Sequence, residues 1–172
     1  MSLPVFGVVG WKNSGKTTLM TKLIAEFAGQ GLDVAAIKHA HHGFDVDHEG
    51  RDSFRFRSAG ARRVVVASPV RVAIMTELQG RDEPSLPELL THVASADLIL
   101  IEGFKASPHP KIELRRMAAV RTVPLPGDIA GVRAIAADFP IDGETRPVLH
   151  LDDTAAIAAF ILAELGLARR VA

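Results

Sequence analysis

The segment "GWKNSGKTT", residues 10–18, constrains the fold of this chain more than any other feature. It follows the apolar run 5–9, which predicts a buried strand, and it leads into residues 16–30, whose apolar spacing predicts an amphipathic helix. The segment has the pattern G-x-x-x-x-G-K-T, in which the glycines let backbone N–H groups wrap around an anion at a helix N-terminus. A strand, a phosphate-binding loop and a helix in this order predict the start of a parallel α/β sheet.

The phosphate-binding loop assigns roles to two of its side chains. Lys16 is expected to reach the β- and γ-phosphates of a nucleotide, and the Thr17 hydroxyl is expected to bind Mg²⁺. The simpler interpretation is a glycine-containing turn with a solvated lysine. The complete pattern between a strand and a helix favours nucleotide binding.

An acidic residue at the end of a neighbouring strand usually helps a phosphate loop to order Mg²⁺. The apolar run 98–101 predicts a third buried strand, after the loop strand and a second one at 33–37, and it ends in Glu102 and Gly103. Glu102 is therefore the candidate magnesium carboxylate. A solvated carboxylate at a strand end remains the alternative.

The segment that follows the second predicted strand is polar and rich in histidine. It contains His39, His41, His42 and His48 together with Asp45 and Asp47. Histidine and carboxylate suit a transition metal, but the spacing matches no closed tetrahedral site. Since the segment leaves the carboxyl end of a strand, where ligands of open parallel sheets bind, we favour contacts of Lys38 and the histidines with phosphate or an anionic substrate. Asp47 is then a second candidate carboxylate for Mg²⁺.

The remaining patterns complete an α/β domain. Further helices are predicted at 52–59, 84–94 and 154–165, a hairpin at 63–67 and 70–78, and strands at 111–114 and 132–136. Arg55, with Arg51 and Arg57, either binds a second anion or pairs with neighbouring acids. We expect one α/β domain over residues 1–172, with three layers as in P-loop NTPases and a mostly parallel sheet to which an antiparallel hairpin is added.

Composition excludes several classes of function. The 20 basic and 20 acidic residues cancel, so no net charge attracts nucleic acid or an anionic membrane. The chain has no cysteine and no apolar run long enough to span a bilayer. We expect a soluble, cytoplasmic protein without a nucleic-acid or membrane partner.

Three segments taken together closely resemble the MobB family of molybdopterin-guanine dinucleotide biosynthesis adaptor proteins. They are "GWKNSGKTT", "IKHAHHGFDVDHEGRDSFRFRSAGA" and "LILIEGFKASPHPKIEL", and the resemblance covers most of residues 4–160. It implies a P-loop fold, GTP binding with at most weak hydrolysis, and a homodimer to which the hairpin 63–78 contributes. It also implies partnership with the guanylyltransferase that attaches GMP to molybdopterin, with molybdopterin itself as a further candidate ligand.

The resemblance also implies site residues by position. The nucleotide-binding residues are Gly10, Lys12, Asn13, Ser14, Gly15, Lys16, Thr17 and Thr18, and the Mg²⁺ ligands are Thr17, Asp47 and Glu102. The mouth of the site is formed by Lys38, His39, His41, His42, Arg55, Phe104 and Lys105. The chain lacks the Asn-Lys-x-Asp motif with which GTPases read guanine, and Asp138, just after the strand 132–136, is the candidate substitute. Guanine preference thus rests on the resemblance alone.

Three hypotheses for function follow. The first is a GTP-binding adaptor in molybdenum cofactor assembly that hydrolyses GTP slowly. The second is a small-molecule kinase that uses the same loop, with His41 or Asp47 as base. The third is a metal-responsive module built on the histidine cluster.

Overall fold

The computed structural model describes residues 3–40, 43–126 and 129–168. These residues form two compact units, of which the first comprises the chain up to His39 and from Leu86 onward, and the second comprises Ala40–Ser85. The elements of the first unit are β1 (Val5–Gly10), α1 (Lys16–Gly29), β2 (Val34–Lys38), α3 (Leu86–Thr91), β5 (Leu98–Glu102), β6 (Lys111–Arg115), β7 (Val132–Ala137), β8 (Val148–His150) and α4 (Thr154–Glu164). Those of the second are α2 (Asp52–Ser58), β3 (Arg63–Ser68) and β4 (Arg71–Thr76).

The described strands of the first unit form a parallel sheet in the order β2-β5-β1-β6-β7-β8. Strands β1 and β5 lie inside it and are buried along their whole length. Their continuous apolar runs are typical of parallel strands covered on both faces. The predicted α/β class, a mostly parallel sheet with a separate antiparallel hairpin, is confirmed.

The larger part of the core lies between the sheet and helices α1 and α4. Phe6 of β1 meets Phe160 of α4 edge to face, with ring centroids 6.4 Å apart. Helix α1 ends where Gly31 adopts a left-handed φ of 78° and Leu32 donates its backbone N–H to the Phe27 carbonyl. This end lets the chain reverse into β2, parallel to β1.

Two elements differ from the sequence prediction. Helix α3 is shorter than the predicted 84–94, because the backbone N–H groups of His92 and Val93 bond to carbonyls only three residues back, which tightens and ends the helix. Strand β8 was not predicted, since its three residues are too few to show a periodic pattern. The other predicted elements are present, with ends that differ by up to two residues.

In the second unit the hairpin presents an apolar face to solvent. Val65 lies opposite Ile74, and Ala67 lies opposite Val72 on the same face. Val65, Val72 and Ile74 are 63%, 63% and 66% exposed. On the other face Val64 is buried. No helix among the described residues is long and apolar enough to cross a membrane.

Candidate functional site

The phosphate loop connects the end of β1 at Gly10 to the start of α1 at Lys16. A Cβ atom at Gly10 would lie 2.6 Å from the Ser14 Oγ and 2.8 Å from the Leu114 carbonyl oxygen, so only glycine fits. Gly15, with a φ of 88°, caps α1 in the left-handed conformation that glycine adopts without strain. The loop is therefore closed tightly by its two motif glycines.

The N-terminus of α1 is left open for an anion. No side chain caps it, and its first turn contains no acidic residue. Ser14 is fully buried, and its Oγ has no hydrogen-bond partner among the described residues. Because a helix N-terminus carries unsatisfied N–H groups and partial positive charge, this loop fits a phosphate group.

Lys16 points back over the loop, where its Nζ donates a hydrogen bond to the Trp11 carbonyl oxygen at 2.7 Å. Burial lowers the pKa of Lys16; the charge of Glu102 opposes this effect, and Lys105 and Lys38 add to it. A phosphate oxygen would be a stronger acceptor for this ammonium group than a neutral carbonyl. The Lys16 ammonium therefore lies over the loop, within reach of a phosphate group bound there.

The Glu102 side chain, at the end of β5, contacts Thr17 of the phosphate-loop motif and Lys38 at the end of β2. Its Oε2 accepts a hydrogen bond from the Thr17 Oγ1 at 3.0 Å, and its Oε1 lies 3.4 Å from the Lys38 Nζ. The side chain of Glu102 is only 12% exposed. A hydroxyl and a carboxylate side by side match the oxygen ligands that Mg²⁺ prefers, so Thr17 and Glu102 fit this ion.

The segment after Glu102 forms one wall of the mouth. Gly103 and Phe104 both have positive φ angles, of 102° and 48°, which turn the chain sharply. The Phe104 ring stacks on His39 with centroids 4.7 Å apart, and the Lys105 Nζ lies 5.6 Å from the centre of the Trp11 ring. The predicted residues Lys38, His39, Phe104 and Lys105 are therefore brought together beside the loop, whereas His41 and His42 lie outside the described residues.

Two predicted site residues, Asp47 and Arg55, belong to the second unit. Asp47 accepts hydrogen bonds from the Ser53 Oγ at 2.9 Å and from the Arg57 Nη1 at 3.3 Å. Arg55 lies 3.7 Å from Asp52 at the surface. Their roles toward Mg²⁺ and the mouth of the site stay predictions.

The carboxyl ends of β6, β7 and β8 carry a group of charged residues that includes one the sequence analysis missed. The guanidinium of Arg116 lies against Gly15, with three of its atoms 3.4 Å from the position of a Cβ there. Its Nη2 is 3.7 Å from the Asp152 carboxylate. Asp138, the predicted guanine contact, is exposed and accepts a hydrogen bond from the Met117 N–H at 2.7 Å. Arg116 follows directly on β6, and only the pairing of β6 with β1 brings it to the phosphate loop.

The side chains of β6 that point away from the main core are charged and buried, which the sequence analysis also missed. Lys111 donates to the carbonyls of Ser107 and Ala130, and burial lowers its pKa to about 8. Arg115 pairs with Glu113 at 2.9 Å and with Glu144 at 3.5 Å, beside a cavity of about 250 Å³. Loops after β5 and β6 cover these charges.

Among the residues that the structure describes, no three histidine or acidic side chains are arranged to hold a metal ion. Thr17 and Glu102 supply only part of a magnesium coordination shell. In phosphate-loop proteins nucleotide phosphates and water complete such a shell.

The sequence of this chain is similar to those of one protein family. A family model described as "Molybdopterin guanine dinucleotide synthesis protein B" (MobB) matches residues 5–138. A protein of Haemophilus influenzae named molybdopterin-guanine dinucleotide biosynthesis adapter protein is 40% identical over 92% of this chain and 88% of its own length. The Escherichia coli protein of the same name is 38% identical over 93% of this chain and 92% of its own length.

Solved structures of proteins named MobB are also similar to this chain. The crystal structure of a MobB homologue from Bacillus stearothermophilus superposes with a TM-score of 0.71 at 28% identity, and covers 95% of this chain and 99% of that one. The structure of Bacillus subtilis MobB gives a TM-score of 0.71 at 28% identity, with 94% and 97% of the two chains covered.

Proposed function

The chain belongs to the MobB family, and from that premise we propose that it is a GTP-binding adapter protein in molybdopterin-guanine dinucleotide biosynthesis. The proposal has three parts: a Mg²⁺–GTP site at the phosphate loop, slow hydrolysis, and assembly with the guanylyltransferase of the pathway.

The observation that carries the nucleotide site is the arrangement of Lys16, Thr17 and Glu102 around an uncapped helix N-terminus. The loop N–H groups and Lys16 would bind the phosphate chain, and Thr17 with Glu102 would hold Mg²⁺. The metal would neutralise phosphate charge. In the structure the Lys16 Nζ donates a hydrogen bond to the Trp11 carbonyl oxygen, and on nucleotide binding this ammonium would exchange that oxygen for a phosphate oxygen.

Slow turnover is supported by what surrounds the loop. GTPases commonly orient the attacking water with a glutamine. Gln30, the one glutamine of the first unit, lies at the opposite end of α1, where its Nε2 bonds to Glu26. We expect bound GTP to be held much longer than a catalytic cycle of an active GTPase lasts.

The role of an adapter requires surfaces for other chains. The outer face of the β3–β4 hairpin exposes Val65, Val72 and Ile74 together, and exposed apolar patches of this kind are typical of protein interfaces. We assign this face to a homodimer.

Calorimetric titration of Mg²⁺–GTP and Mg²⁺–ATP tests the nucleotide site. Wild type is expected to bind GTP more tightly than ATP, and Lys16→Ala is expected to weaken GTP binding by at least about tenfold because it removes a charge-assisted hydrogen bond. Lys22→Ala, at an exposed position of the same helix, is the matched control and should bind as wild type does. Equal affinity of wild type and Lys16→Ala for GTP would contradict the assignment.

Two further measurements test the metal and the partner of the proposal. Glu102→Gln should reduce the gain in GTP affinity that Mg²⁺ provides, while affinity without Mg²⁺ should not fall, because the change removes a negative charge beside the loop. Capture of partners from cell extract, with and without GTP, should recover the guanylyltransferase. Rapid transfer of the γ-phosphate to a metabolite would instead favour a kinase.

A further inference from the structure

The proposed nucleotide site has two sides that differ in chemistry. On one side of β1 lies β5, whose Glu102 contacts Thr17 at the metal end of the loop. On the other side lies β6, which is followed by Arg116, and this guanidinium packs against Gly15. The loop is therefore flanked by a carboxylate on its β5 side and by a guanidinium on its β6 side.

This asymmetry gives the bound nucleotide a direction, on the premise of the proposed function. In phosphate-loop proteins the magnesium ligands lie at the γ-phosphate end of the nucleotide, so Thr17 and Glu102 would mark that end here. The nucleoside would then extend the other way, toward the carboxyl ends of β6, β7 and β8. Open parallel sheets bind the rest of a ligand along this same edge.

The Arg116 side chain is available for a contact with a ligand on that side. Its side chain is 33% exposed, so one part of it reaches solvent. Its Nε is enclosed and has no hydrogen-bond partner among the described residues, and its ion pair with Asp152 is long at 3.7 Å. The hydrogen bond from the next residue, Met117, to Asp138 fixes the backbone that carries it.

We propose that Arg116 recognises the nucleoside half of the bound nucleotide, with its planar guanidinium stacked on the face of the base. A guanidinium stacks well on an aromatic ring, and a flat purine offers such a face.

The test compares a nucleotide with a ligand that lacks the nucleoside. Binding of GTP and of inorganic tripolyphosphate, each with Mg²⁺, is measured by calorimetry for wild type, Arg116→Ala and Arg116→Lys. Arg133→Ala is the matched control, since that arginine is 57% exposed and pairs with Glu164 on α4. Thermal unfolding of each variant checks that it is folded, and Arg116→Lys keeps the test available if the alanine variant does not fold.

Arg116→Ala removes a positive charge near the loop, which affects both ligands, so we expect it to weaken GTP binding about tenfold more than it weakens tripolyphosphate binding. Arg116→Lys keeps the positive charge but not the planar guanidinium, so its GTP affinity should lie between those of Arg116→Ala and wild type. Equal weakening for both ligands would make Arg116 a phosphate contact, and full rescue by lysine would make it a simple charge; either result overturns the proposal. So does unchanged GTP affinity in Arg116→Ala, whereas failure of wild type to bind GTP would overturn the proposed nucleotide site itself.

Discussion

His109 is expected to make the stability of the fold depend on pH. Its imidazole packs over β1, where a Cβ at Gly7 would lie 2.5 Å from the His109 Nε2. Both ring nitrogens are buried and have no hydrogen-bond partner among the described residues. Burial, and secondly the charge of Lys111, lower the pKa of His109 to about 4.

The sign and size of the effect follow from proton binding. In the unfolded chain His109 takes up a proton near its ordinary pKa of about 6.5, whereas the folded chain resists protonation down to a pH of about 4. The unfolded state therefore binds more protons over this interval, and the free energy of unfolding falls as the pH is lowered through it. The shift corresponds to at most about 3 kcal/mol lost between neutral pH and pH 4.

Urea unfolding between neutral pH and pH 4 measures this contribution when wild type is compared with His109→Leu. The variant has no titrating group at this position, so its stability relative to wild type should rise by up to about 3 kcal/mol as the pH falls to 4. His92→Leu, the same change at an exposed histidine, should follow the wild-type curve. Parallel curves for wild type and His109→Leu, or an NMR titration of His109 near 6.5, would refute the reasoning.

Two further predictions concern the phosphate loop and the hairpin. Gly10→Ala should lower the free energy of unfolding by about 1–3 kcal/mol and weaken GTP binding, because its Cβ would lie 2.6 Å from the Ser14 Oγ. Wild-type stability and affinity in this variant would show that the loop backbone can shift to accept the extra methyl group. Ile74→Lys, at a position 66% exposed, should change monomer stability by less than about 0.5 kcal/mol yet raise the dissociation constant of the proposed homodimer at least about tenfold in analytical ultracentrifugation. Unchanged self-association in the variant, or none in wild type, would contradict the assignment of this face to a homodimer.

The part of the site that could be predicted from sequence lies where one short segment carries the whole pattern. The loop glycines, Lys16 and Thr17 are adjacent in the chain, and their geometry follows from the strand and the helix on either side. Glu102 could be predicted because a parallel strand delivers its last residue to the same sheet edge, and the structure does place its carboxylate on Thr17.

Arg116 and the charged face of β6 could not be predicted in this way. The contact between Arg116 and Gly15 depends on which strand pairs with β1, and the sequence carries no local sign of strand order. Alternation of polar and apolar residues in β6 suggests a solvated face, yet Lys111, Glu113 and Arg115 are buried because distant loops fold over them. Burial of this kind is set by tertiary structure rather than by periodicity.

Trp11 has a practical consequence for work on this molecule. It is the only tryptophan of a chain that has no tyrosine, so nearly all intrinsic fluorescence arises from one side chain. Trp11 belongs to the phosphate loop; its indole N–H donates a hydrogen bond to the Val123 carbonyl oxygen, and the Arg121 guanidinium lies 4.8 Å from its ring centre. Its own carbonyl accepts the bond from Lys16 that a phosphate would displace. Binding of a ligand at the phosphate loop can therefore be followed by the tryptophan fluorescence of the unlabelled protein.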